Sequence, residues 1–314
     1  MTSRCRWRLG VSLGFLAASV MLQVCALADQ ARFTPKLHAG QTLFYRIEFH
    51  SMRLATAESH FSSPQLPPTG HLDFSGLLQV EVREVTAGGF RLKTYLSERQ
   101  STASGSSLPS ASSNSTDKIV DVLLAPSGNA SQIAGFDRLS AAQQAAWTEW
   151  LSRFTTSMSF PSTPHVGKKW QSTEPETTPA SIAGLSWIKR FQYVRDEPCP
   201  SESSAAAAKQ NSAASAANSC AVILVTATLR QKSPQRNATP PDYKLNDLKT
   251  QGTASGQNET ILYLSRSQAL LVRSTESAQQ SMDVTITLTD DSNQVRYLLN
   301  AKSRSEIVLL SDSP

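Results

Sequence analysis

Five histidines (His38, His50, His60, His71, His165) and four cysteines (Cys5, Cys25, Cys199, Cys220) are the side chains of this 314-residue chain best suited to proton transfer, nucleophilic attack or metal ligation. Glu48 and His50 fall on the polar face of one alternating segment, and Glu58, His60 and His71 follow closely enough to gather beside them. Metal sites are built from such residues, but no ligand spacing typical of zinc is present, so these are read as solvated strand and loop residues. The chain has no His-Glu-x-x-His, no Gly-x-Ser-x-Gly, no phosphate-cradling glycine loop and no Cys-His nucleophile pattern. No enzyme, no metal and no cofactor are therefore expected. A hydrolase or metal enzyme would need a site dispersed along the chain.

The cysteines divide by position. Arg4, Arg6 and Arg8 precede a mostly apolar run from Leu9 to Val24, and Ala26-Leu27-Ala28 offers small residues around a cleavage point before Asp29. This three-part pattern is that of a secretory signal over residues 1–28, which would remove Cys5 and Cys25. A rival reading makes Cys25 a lipid-modified residue, with Leu22 three places before it, although Gln23 and Val24 stand where that signal wants small residues. Either way the chain is bound for the periplasm, the cell envelope or the medium. Cys199 and Cys220 remain as an even pair in an oxidising compartment, bracketing a Ser- and Ala-rich stretch, and a disulfide is predicted between them.

Charge excludes one partner class. The whole chain carries +5, but loss of Arg4, Arg6 and Arg8 with no acid leaves +2, too little for a nucleic-acid footprint. With 39% hydrophobic and 18% charged residues, and a mean hydropathy of -0.27, the composition is neither that of a coiled coil nor that of a polytopic membrane protein. Four Asn-x-Ser/Thr matches, at Asn114, Asn129, Asn237 and Asn258, arise readily by chance in so Ser- and Thr-rich a chain.

The elements that must position these residues are strands. Leu43, Tyr45, Ile47 and Phe49 alternate with Arg46, Glu48 and His50, as in a half-buried strand. Leu78 to Arg83 and Phe90 to Leu96 flank Thr86-Ala87-Gly88-Gly89 and predict a hairpin. Residues 101–116 hold eight serines and read as a loop, and Lys118 to Leu124 as a strand. Then the period changes once: Ser140 and Gln143 form a capping box, and Trp147, Trp150, Leu151 and Phe154 recur at helical spacing, predicting a helix from about Ala141 to Thr156. Its stripe is apolar enough to serve as a lid over the sheet.

Downstream, Trp187 to Val194 and Ala221 to Leu229 read as strands. Trp187, Lys189, Phe191, Tyr193 and Arg195 alternate aromatic and basic residues, which suits either a core face with snorkelling bases or a platform for sugar rings or acidic polymers; the core face is the preferred reading. Residues 231–256 read as irregular, followed by short strands at 260–265, 269–275, 282–288, 295–301 and 307–310. His38-Ala39-Gly40 and His165-Val166-Gly167 echo one another and suggest two halves, 29–160 and 161–314, within residues 29–314.

Gly40 to Arg46, Gly167 to Trp170, Leu262 to Ser265 and Leu270 to Ser274 carry a resemblance to uncharacterised exported bacterial β-rich proteins, distantly similar to lipoprotein-carrier half-barrels. The resemblance implies a curved antiparallel sheet over an apolar groove and no catalytic residues. The fold class expected is mainly β, a half-barrel or sandwich with one packed amphipathic helix. The function expected is non-enzymatic binding of an apolar or amphipathic ligand, such as a lipid, or of an envelope protein's apolar segment. A structural interaction module without ligand is the alternative.

Overall fold

The computed structural model describes residues 35–58, 69–104, 118–160, 164–176, 182–200, 219–232, 238–288 and 294–310. Residues 1–34 with Cys5 and Cys25, His60, most of the serine-rich stretch and residues 201–218 lie outside them. The described residues fold around one antiparallel sheet of eleven strands that does not close on itself.

The first five strands, β1 (Thr42–Glu58), β2 (Gly70–Thr86), β3 (Gly89–Ser104), β4 (Ile119–Leu124) and β5 (Ala130–Ala134), form a meander. Helix α1 (Ala141–Thr156) follows, and then a second meander: β6 (Lys169–Pro175), β7 (Leu185–Pro198), β8 (Ser219–Gln231), the short α2 (Pro241–Leu245), β9 (Leu248–Ser265), β10 (Leu271–Leu288) and β11 (Gln294–Leu309). The last strand pairs with the first, from Tyr45 opposite Leu309 to Glu58 opposite Arg296. The sheet edges are therefore β5 and β6, and α1 connects them.

The paired His-x-Gly segments are one device used twice. Gly40 and Gly167 adopt φ of 84° and 85°, a left-handed turn conformation that a side chain would oppose. The Gly40 N–H then donates to Val82 of β2, and the Gly167 N–H to Tyr193 of β7. Each turn thus pins the start of a meander to the strand it will pair with.

Helix α1 begins and ends where its sequence requires. The Ser140 hydroxyl accepts from the Gln143 N–H, and the Gln143 carboxamide accepts from the Ser140 N–H. Trp147, Trp150 and Phe154 are buried against the sheet, and Leu151 packs at their margin. Beneath them lie Tyr45 and Ile47 of β1, Leu78 and Val80 of β2, Leu92 of β3 and Ile307 of β11, all essentially without solvent contact. Trp150 lies 5.1 Å from Phe154 and 6.0 Å from Tyr45, centroid to centroid. The Trp147 indole donates to Thr94 at 2.9 Å, whose hydroxyl donates in turn to the Val120 carbonyl. This face is the inner face below, and its opposite the open face.

A second apolar cluster occupies the far end of the inner face, with Met282, Val284, Tyr297 and Leu299 covered by Ile182, Ala238 and Tyr243. Between the two clusters every central strand presents a small or polar residue inward: Ser51, Ser303, Ala278, Asn258 and Ala227 lie in register.

That band corrects three boundaries. Residues 231–256 are not irregular throughout: α2 and the first half of β9 lie within them. The inward positions of early β9 are Thr250, Gly252, Ala254 and Gly256, too small to show alternation. A Cβ on Gly256 would sit 2.8 Å from the Trp187 ring, so the small residue is what lets the indole reach over β8 as far as β9. The segments 269–275 and 282–288 are one strand, and so are 295–301 and 307–310. The core-face reading of Trp187, Phe191 and Tyr193 holds: Phe191 stacks on Trp170 at 5.3 Å and is buried.

Candidate functional site

Because Tyr45 and Ile47 face the helix, the strand period puts Glu48, His50, Met52 and Leu54 of β1 on the open face. Pairing carries this assignment across the sheet. One open-face row runs from Asp73 on β2 through His50, Arg304, Ser277 and Glu259 to Arg190 on β7. The next row carries His71, Met52, Lys302, Gln279 and Gln257. Side chains of the two rows wall a groove of about 950 Å³, with the backbone of the small-residue band along its course. Six strand spacings separate Asp73 from Arg190, so the groove is about 29 Å long.

At its β2 end, His50 Nδ1 lies 2.8 Å from Asp73 Oδ1, and His71 Nε2 lies 3.8 Å from Asp73 Oδ2. The Thr102 hydroxyl donates to the same carboxylate at 2.9 Å. The hydrogen bond from His50, with that from Thr102 and the charge of both imidazoles, holds the Asp73 carboxyl below its ordinary range against a partial desolvation. A depressed folded-state value stabilises the fold at neutral pH and is lost as pH falls through it. NMR titration should find Asp73 protonating below the ordinary aspartate range and His50→Gln moving it back up; an ordinary value in the native protein would show the imidazole turned away.

Farther along, cations stand without acids. Three other arginines of this face have acidic partners: Arg273 with Glu306 at 2.7 Å, Arg83 with Glu81 at 2.8 Å, and Arg296 with both oxygens of Asp283. Lys302, Arg304 and Arg190 have no acidic partner among the described residues. Beside them Met52 and Leu54 are 58% and 52% exposed, unusual for apolar residues in the middle of a sheet.

Sequence reasoning placed His50 and His71 together, and the structure joins them through Asp73. Glu48 instead meets Arg46, at 3.8 Å, and His60 and the Glu58 side chain lie outside the described residues. Lys302, Arg304, Arg190 and Asp73 went unnoticed. Their signal was indirect: alternation lapses on β9, β10 and β11 where the groove crosses them. Among the described residues no three His, Cys, Asp or Glu side chains are placed to hold a metal ion. The His50 and His71 nitrogens face Asp73 itself.

The other predicted features lie apart from the groove. Cys199 and Cys220 form a disulfide at the end of the β7–β8 hairpin where the connecting segment leaves the two strands, Cα atoms 4.8 Å apart. Under α1, the cleft beside Arg153 and Phe191 holds about 20 Å³, room for one water. At that spot the Arg153 guanidinium pairs with Glu149 at 2.8 Å and with Glu276, while Glu149 also accepts from Ser305 and Glu276 from Thr260.

The architecture defines a mainly β protein, an open antiparallel sheet carrying one long helix. No protein-family model matches the chain, and no curated protein does. Among solved structures, the outer membrane protein OprG from Pseudomonas aeruginosa aligns over 87% of this chain and 97% of its own, at 7% identity and a TM-score of 0.18. A superposition that loose carries no argument about either fold or function. No helix among the described residues is long and apolar enough to cross a membrane.

Proposed function

We propose that the chain is a non-enzymatic, exported envelope protein, akin to the β-rich proteins similar to lipoprotein-carrier half-barrels, that binds an amphipathic ligand. The leader pattern and the Cys199–Cys220 pair support export. The observation that carries the binding is the open-face groove, where exposed Met52 lies beside Lys302 and Arg304, which have no acidic partner among the described residues, and exposed Leu54 follows two residues beyond Met52 on β1. That surface offers both apolar contact and charge, as an amphiphile requires. A purely apolar ligand under α1 is less well supported, because the sheet there is filled by the Trp147, Trp150 and Phe154 side chains.

Native mass spectrometry of protein purified from its own host tests this reading. An added mass released on denaturation, and saturable uptake of a fluorescent fatty-acid probe by the delipidated protein, are the expected results. Neither a bound amphiphile nor saturable uptake would leave a structural module without ligand.

A further inference from the structure

The geometry points to a phospholipid with an anionic phosphate headgroup as the occupant of the groove, its phosphate held by Arg304 and Lys302 and its acyl chain lying along Met52 and Leu54. The inference rests on the amphiphile reading and specifies the chemistry of that same site.

Four observations select this ligand. First, Lys302 and Arg304 are two residues apart on β11 and face the same way, their Cα atoms about 7 Å apart, a spacing from which two long side chains can converge on a single tetrahedral anion. Arginine offers a planar fork for two phosphate oxygens and lysine a mobile point charge. Second, no acid neutralises them among the described residues, while Arg273, Arg83 and Arg296 on the same face are paired. The nearest carboxylate along their row on the β1 side, Asp73, is already engaged by His50 and Thr102.

Third, the groove is not uniformly basic. Glu259 stands two strands beyond Arg304, about 10 Å away, and Asp73 two strands in the other direction. An anionic polymer lying along the groove would set its charges against both carboxylates, whereas a single headgroup meets neither. Fourth, polarity changes along the strands in a fixed order. The level of His50 and Arg304 is charged, the next pairs Met52 with Lys302, the next pairs Leu54 with Asn300, and the next pairs Thr56 with the half-buried Leu298. A headgroup at the first two levels therefore points its chain toward Leu54 and Leu298.

Isothermal titration of the delipidated full chain with three probes tests this: dihexanoylphosphatidic acid, dihexanoylphosphatidylcholine and inorganic phosphate. Phosphatidic acid should bind at least tenfold more tightly than phosphatidylcholine. The double variant Lys302→Gln/Arg304→Gln should abolish that preference, and Arg296→Gln, which removes a paired cation of the same face, should leave it intact. Equal binding of the two lipids, or an unchanged preference in the double variant, overturns the phosphate site while the amphiphile reading stands. Inorganic phosphate binding as tightly as phosphatidic acid overturns the lipid and leaves a bare anion site. Binding of no probe removes both this inference and the amphiphile reading.

Discussion

Replacing Trp150 with alanine should lower the stability of the protein by about 3–5 kcal/mol, the cost of truncating a large, fully buried aromatic side chain. Trp150 touches the sheet through Tyr45 and the helix's own last turn through Phe154, so the cavity would open at the centre of the larger core cluster. Its indole N–H is buried without a hydrogen-bond partner. Trp150→Phe should therefore cost clearly less than Trp150→Ala, since it gives up ring area but also discards an unsatisfied donor. Thermal or urea unfolding of both variants measures the pair. Equal and negligible losses would mean that α1 is not packed on the sheet.

Arg153→Met should be comparably damaging, by about 3–5 kcal/mol, because it strands two carboxylates rather than one. Glu149 and Glu276 flank the guanidinium from the helix and from β10, and the side chains of all three are largely buried. The double variant Arg153→Met/Glu276→Gln should recover much of the loss, since Glu149 retains its hydrogen bond from Ser305 while its acidic neighbour becomes neutral. A double-mutant cycle on unfolding free energy reads this directly. Additive losses would show that the arginine and Glu276 do not interact.

What could be read from the sequence followed from contrast between neighbouring residues. Ser140, Gln143 and the tryptophans differ sharply from their neighbours, and the helix they predict runs from Ala141 to Thr156 in the structure. The β2–β3 hairpin was equally legible, because one face of each strand is branched or aromatic and the other mostly polar, and β4, β7 and β8 because they are dense in branched or aromatic residues. Contrast disappears where both faces carry small or polar groups. On β10 the stretch from Glu276 to Ser281 puts Ala278 inward and Ser277 and Gln279 outward, so one strand reads as two. The same happens on β11 at Lys302 to Arg304. The groove residues were thus hidden by the property that makes the groove: polar side chains outside and small ones beneath.

Pairing β1 with β11 sets the order in which the molecule can be assembled. The first strand leaves the ribosome long before its partner, and the register between Tyr45 and Leu309 joins residues from opposite ends of the described chain. Until β11 arrives, two meanders exist, and the exposed flanks of β1 and β10 are long strand edges open to intermolecular pairing. Contacts so distant in sequence make folding slow, and slow folding prolongs that exposure. A chain halted before Gln294 would keep both edges. Folding in the cell should then depend on a holding chaperone that releases the protein only after its last sixteen-residue strand has emerged.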